Sequence, residues 1–220
     1  MTNVLCFGDS NTYGWDPVNW GRFAPDVRWP GVLQRELGAE YKVIEEGCGG
    51  RTAVMDDGLE PFVSGIKYLE PCLRSHCPLD RVIIMLGTND MKRRYGLSAQ
   101  DIANGMAKLV STVETVLRFE QKALPRILLV SPIHIGPKIV ESKVNFEMFD
   151  FDHGIETSRE LAFYYRQVAE RYGCAFFDAA SVAQPSEADS VHLSAEGHLA
   201  LGKALAREIH KYDMAATVQP

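Results

Sequence analysis

Two stretches of the chain, Val82-Ile83-Ile84-Met85-Leu86 and Ile127-Leu128-Leu129-Val130, are apolar at every position. A strand with one face in water alternates apolar and polar side chains, whereas a strand without alternation is covered on both faces. Such strands belong to a parallel sheet held between layers of helix. Shorter β-branched runs at residues 4–7, 41–44 and 175–177 are bounded, like these two, by Gly, Pro, Asp or Ser, which makes five predicted strands.

The intervening segments carry helical periodicity. After Ser98, apolar Ile102, Met106, Leu109, Val110, Val113, Val116 and Leu117 fall at three- and four-residue spacings, and Ser98 with Asp101 reads as a capping box. Leu161, Tyr164, Tyr165, Val168 and Tyr172 share one face of a second helix, and Leu201, Leu205 and Ile209 one face of a third. Residues 29–37 predict a shorter helix after the first strand. Strand and helix thus alternate from end to end, which predicts a doubly wound α/β sandwich; about five strands are too few for a barrel. With 220 residues, 46% of them apolar, and no Pro/Ser-rich linker or charge block, one domain over residues 1–220 is expected. Residues 15–26, 51–68 and 134–153 break the rhythm, and irregular segments of that length are commonly functional or mobile.

Composition narrows the classes. A net charge of -6 argues against nucleic acid or an anionic membrane as partner. Cysteines 6, 48, 72, 77 and 174 are odd in number and lack C-x-x-C spacing, so free thiols in a reducing compartment are expected, with Cys72 and Cys77 the only pair close in sequence. The chain opens on a strand, and no stretch approaches ~18 uninterrupted apolar residues, so a cytoplasmic protein is expected. Asp56-Asp57 and the group Asp150, Asp152 and His153 have oxygen-ligand chemistry, but solvated loop charges explain them without a metal.

In open α/β sheets, ligands bind beyond the carboxyl ends of the strands. The residues there are polar and specific. Asp9-Ser10 follows the first strand, Gly47-Cys48-Gly49-Gly50-Arg51-Thr52 the second, Gly87-Thr88-Asn89-Asp90 the third and Ser131-Pro132 the fourth, while Asp189-Ser190-Val191-His192 precedes the last helix. A neutral serine is a poor nucleophile until a base takes its proton, and the base needs an orienting acid. Ser10, His192 and Asp189 supply that set. Attack on a carbonyl builds charge on oxygen, for which the Ser10 and Gly50 N–H groups and the Asn89 amide are candidate donors. Taken singly each block has a plain alternative: Ser10 could cap a helix, Gly-Thr-Asn-Asp could be a turn, and Asp-x-x-His could be incidental. Their joint placement, one at each strand end, favours chemistry.

Around this set, Asn11, Trp15, His134 and Phe149 are candidate substrate contacts. Trp15, Trp20, Phe23 and Trp29, with Phe146, Phe149 and Phe151 in the fourth loop, could wall an acyl or aryl pocket, or could pin loops to the core or bury a subunit contact. Cys48 has no neighbouring base and reads as packing.

These blocks, Gly8-Asp9-Ser10, the turn containing Gly50, Gly87-Thr88-Asn89-Asp90 and Asp189-Ser190-Val191-His192, resemble the motif blocks of the SGNH hydrolases, or GDSL-type esterases, over residues 4 to about 210. The resemblance implies a flavodoxin-like three-layer α/β/α fold with strand order 2-1-3-4-5 and ester hydrolysis through an acyl-serine. It puts the nucleophile on Ser10, the base on His192, the orienting acid on Asp189 and the oxyanion donors on Ser10, Gly50 and Asn89. Such a mechanism needs no metal or cofactor. Arg22-Phe23-Ala24-Pro25-Asp26-Val27-Arg28-Trp29, Val43-Ile44-Glu45-Glu46-Gly47 and Ile83 through Asp90 are similar to a bacterial subgroup of arylesterases and acyltransferases with perhydrolase activity. That narrower resemblance implies a short-chain acyl ester as substrate, water, alcohol or peroxide as acceptor, and homo-oligomers in at least some members. The chain departs from the family at Asn11, where Leu is usual, and at residues 15–20, where the loop is short. A carbohydrate O-deacetylase or acyl-thioesterase would use the same machinery. A silent small-ligand module would not need every catalytic position filled.

Overall fold

The computed structural model describes residues 1–149 and 153–217; Asp150, Phe151 and Asp152 lie outside the described residues. Five strands, β1 (Thr2–Gly8), β4 (Tyr41–Gly47), β5 (Arg81–Met85), β6 (Arg126–Ser131) and β7 (Ala175–Asp178), form one parallel sheet in the order β4-β1-β5-β6-β7. Counted among themselves these strands run 2-1-3-4-5, the order that the resemblance implied.

The unbroken apolar runs are explained by two cores, one on each face. Successive side chains of a strand point to opposite faces. Leu5, Phe7, Val82, Ile84, Ile127 and Leu129 enter one core, with residues of α3 (Gly65–His76), α4 (Ala99–Glu120) and α6 (Ile155–Tyr172). Val4, Cys6, Ile83, Met85, Leu128 and Val130 enter the other, against α2 (Trp29–Leu37) and α7 (Ala195–Thr217). The capping box of α4 is formed: Asp101 N–H donates to Ser98 Oγ at 3.2 Å, and Ser98 N–H to Asp101 Oδ2 at 3.1 Å. Pro30 occupies the first turn of α2, where its missing N–H costs nothing.

Three irregular segments hold more order than expected. Residues 15–26 contain a two-residue antiparallel hairpin, β2 (Trp15–Asp16) with β3 (Gly21–Arg22). The second is not a loop to residue 68, because α3 starts at Gly65; Gly65 and Pro71 within it are poor helix formers, and packing of Leu69, Cys72 and Leu73 overrides them. The third holds the short helix α5 (Lys143–Phe149). Among the described residues, no helix is long and apolar enough to cross a membrane.

Candidate active site

β1 delivers its last residue, Gly8, to the carboxyl edge of the sheet, where a single helical turn, α1 (Ser10–Tyr13), follows. The cap of that turn is Asp9, whose Oδ1 accepts the Asn11 N–H at 2.9 Å. The Ser10 hydroxyl is therefore free for other partners. Gly47 lets β4 approach this turn closely: a Cβ there would stand 2.1 Å from the Tyr13 nitrogen.

The hydroxyl meets a histidine brought from 182 residues away. His192 Nε2 lies 2.9 Å from Ser10 Oγ, and Nδ1 lies 2.5 Å from Asp189 Oδ2. A carboxylate only accepts, so in the neutral ring Nδ1 carries the proton and Nε2 is free to receive one from Ser10. Asp189 also accepts the N–H groups of Val191 and His192 at Oδ1, both at 3.0 Å. Burial alone would raise the Asp189 pKa; the bonds from the His192 ring and the two backbone N–H groups outweigh it and hold the carboxyl below its ordinary value. The turn between acid and base is tight: Ser190 sits at φ 62°, costly for a residue with a side chain. Its carbonyl accepts the Gly136 N–H at 2.8 Å, and Asn145 Nδ2 donates to the Asp189 carbonyl at 3.0 Å. The long fourth segment thus clasps the loop that carries Asp189 and His192.

The candidate oxyanion donors are grouped across the same edge. Among the described residues, neither the Ser10 nor the Gly50 N–H is taken by a backbone carbonyl. Gly50 has φ 77°, a left-handed conformation that suits glycine. Asn89 spends one amide N–H on the Arg51 carbonyl at 3.2 Å. Arg51 ties the blocks together by donating to the carbonyls of Gly8, at 2.9 Å, and Glu46. Asp90 accepts the Ala53 N–H at 3.0 Å. Burial pushes the carboxyls of Asp9 and Asp90 up to about 6 and about 7, against the N–H groups that favour their ionised forms. Beside Gly50, Glu60 receives Lys92 Nζ at 2.7 Å and Arg94 at 2.9 Å; Arg94 also pairs with Asp57, which accepts the Tyr95 hydroxyl at 2.6 Å.

The candidate substrate contacts separate. Trp15 stands beside the candidate base, its ring centroid 6.2 Å from that of His192. His134 is half-buried after β6. Asn11 is a correction, because its carboxamide is buried and bonded to the backbone of Val191 and Leu193, leaving little for a substrate. Phe149 is a second correction: it is packed in the core with α4 and α6. Trp29 is likewise core, Phe23 stacks edge-on against His198 at 5.3 Å, and Trp20 and Phe146 are exposed. Phe151 lies outside the described residues.

Sequence reading missed Asn145, the Glu60–Lys92–Arg94–Asp57 network and His198. Only the opposed charges of residues 56–60 and 92–94 hinted at the network. His198 is fully buried, accepts the Trp29 N–H at Nδ1 (3.3 Å), and is pushed down to about 3 by burial and by the nearby charges of His192 and Arg28.

All five cysteines are free. Glu46, Cys72 and His76 bring potential metal-ligand atoms within 4.8 Å of one another. Burial and the Glu46 charge push the Cys72 thiol up to about 12, which opposes the thiolate that a metal requires, and Glu46 and His76 already pair at 2.7 Å. Asp56 pairs with Lys67 and Asp57 with Arg94. A cleft of about 590 Å³ lies at the opposite edge of the sheet, lined by Arg81, Arg126 and Cys174, away from Ser10.

Comparison with known proteins places these features in context. Residues 6–200 match the GDSL-like Lipase/Acylhydrolase family. The native aryl esterase of M. smegmatis superposes with a TM-score of 0.89 at 42% identity, over 96% of this chain and 99% of that one. Its inhibitor-bound form gives 0.90 at 41% identity, over 96% and 99%. Est24, a carbohydrate acetylesterase from Sinorhizobium meliloti, gives 0.90 at 38% identity, over 96% and 100%. A comparison with curated proteins finds no match.

Proposed function

The chain belongs to the GDSL-like lipase/acylhydrolase family, and from that premise we propose that it is a serine esterase that cleaves short-chain acyl esters through an acyl-serine. The observation that carries this reading is the continuous line Ser10–His192–Asp189 at 2.9 and 2.5 Å. His192 Nε2 takes the Ser10 proton as Oγ attacks the ester carbonyl. The N–H groups of Ser10 and Gly50 and the Asn89 amide receive the charge on the carbonyl oxygen, each worth about 3 kcal/mol in sites of this kind. Asp189 stabilises the imidazolium, which then protonates the departing alcohol. Water, deprotonated by the same ring, releases the acid and restores Ser10. No step calls for a metal or cofactor.

Trp15 beside His192 supports a small acyl group, since a ring there limits the room next to the nucleophile. The similar structures are named as an aryl esterase and a carbohydrate acetylesterase, so acetyl esters of phenols and of sugars are the two substrate classes to compare. An alcohol or peroxide in place of water would give acyl transfer. A second copy covering exposed Trp20 and Phe62 would form the homo-oligomer expected from the resemblance, and the free thiols support a reducing, cytoplasmic location.

Ser10→Ala should reduce hydrolysis of p-nitrophenyl acetate at least about a thousandfold. Unchanged hydrolysis by the purified variant would overturn the reading. A panel of aryl acetates and acetylated sugars, run with and without a competing alcohol, reads both the substrate class and the transfer ratio.

A further inference from the structure

Asn11 stands next to the nucleophile in α1 and is 2% exposed. Both ends of its carboxamide are committed to the segment that carries the base. The Leu193 N–H donates to Oδ1 at 2.8 Å, and Nδ2 donates to the Val191 carbonyl at 3.4 Å. Val191 and Leu193 are the residues on either side of His192. Asn11 itself is held by Asp9, which accepts its backbone N–H.

We propose that Asn11 is the positioning residue that sets His192 against Ser10. The proposal rests on the reading of Ser10 and His192 as nucleophile and base. Along the chain these two are 182 residues apart, and their 2.9 Å contact depends on whatever joins α1 to the 189–193 turn. Asn11 provides that joint one residue from the nucleophile. Asp189 holds the turn from within, through its bonds to Val191 N–H, His192 N–H and the ring. Gly136 and Asn145 hold it from the fourth segment. Asn11 alone among these ties it to the helix that presents the serine. In this chain the joint uses a donor and an acceptor on one short, planar group, which a carboxamide has; the leucine usual in the family makes neither bond, so the joint is this chain's own way of holding the turn. Leucine has the same branched skeleton and neither polar atom. Aspartate keeps the acceptor for Leu193 but turns an oxygen lone pair toward the Val191 carbonyl. Without the carboxamide, the buried Val191 carbonyl and Leu193 N–H lose partners and the turn shifts to find others. A displacement of about 1 Å between reacting groups can cost roughly a hundredfold in rate.

The test compares Asn11→Leu and Asn11→Asp with the parent protein. Two readouts are used: steady-state hydrolysis of p-nitrophenyl acetate, and the low-field proton resonance of the His192 Nδ1–H bonded to Asp189. For Asn11→Leu, kcat should fall by about ten- to a hundredfold with KM within about twofold, and the resonance should broaden or move upfield. Asn11→Asp should fall between the two in both readouts. Parent-like kcat and resonance in Asn11→Leu would overturn the proposal, as would a loss confined to KM. If Asn11→Leu does not fold, Asn11→Asp decides, and parent-like values in it overturn the proposal. The Ser10→Ala result separates the two readings: full hydrolysis by Ser10→Ala would remove the nucleophile assignment, while the His192 resonance still reports whether Asn11 positions the ring.

Discussion

Glu60 stands where a side chain on residue 50 would begin: its Oε2 is 2.9 Å from the position of a Cβ on Gly50, whose left-handed backbone already favours glycine. The carboxylate is pinned there by Lys92, whose side chain is only 4% exposed while that of Glu60 is 35% exposed. The bare α-carbon of Gly50, the proposed oxyanion donor, and the ion network are thus parts of one packing unit.

That asymmetry of burial predicts unequal costs when the pair is broken. Glu60→Ala strands a buried ammonium and should destabilise the fold by about 3 kcal/mol. Lys92→Met removes the buried charge and leaves Glu60 with Arg94 and solvent, so about 1 kcal/mol is expected. Urea unfolding of the two variants checks the order, and a larger loss for Lys92→Met would contradict it.

Asp189→Asn keeps an oxygen to accept the Val191 and His192 N–H groups, so the turn should survive. The new amide, however, would offer a donor to Nδ1 and drive the ring proton to the nitrogen facing Ser10. We expect kcat on p-nitrophenyl acetate to fall about a thousandfold or more with little change in melting temperature. Activity within tenfold of the parent would show that the tautomer of His192 does not matter to the reaction.

Buried His198 makes a pH prediction. Its folded pKa of about 3 lies below the ordinary 6.5, so the unfolded chain binds more protons between these values. Its contribution to stability is therefore complete above pH 6.5 and is lost as pH falls toward 3, by up to roughly 4–5 kcal/mol. Asp9 and Asp90 act in the opposite sense: their raised pKa values make the fold bind more protons from about pH 4 to 7, so they oppose folding as pH rises through that window. The wild-type curve is the sum of these trends, and the difference from His198→Gln isolates one of them. Chemical denaturation from pH 7 to pH 4 should show the variant losing less stability than the parent; parallel curves would refute the assignment.

Legibility followed the physics of each feature. Unalternated apolar runs marked the strands because both faces of β1, β5 and β6 are covered, and Leu5 and Cys6 do enter different cores. The Ser10–His192–Asp189 contact could be anticipated because a parallel sheet sends the end of every strand to one edge. Side-chain direction could not. Asn11 adjoins Ser10 in sequence, yet successive residues of a helical turn point about 100° apart, and it faces the protein backbone. Phe149 sits in the expected loop region but fills the core. The Glu60–Lys92 pair joins residues 32 apart through a fold that no local pattern encodes. α3 was hidden because Gly65 and Pro71 lower its local preference for helix.

The Trp29 N–H and the His198 ring meet across 169 residues, where α2 packs on α7. During synthesis Ser10 leaves the ribosome 182 residues before His192 does. Until His192 emerges, a nascent chain therefore carries Ser10 as an ordinary alcohol, without the imidazole that accepts its proton. On the proposed mechanism, reactivity switches on when α7 docks on α2 and His192 reaches Ser10, so the onset of esterase activity is a clock for that docking.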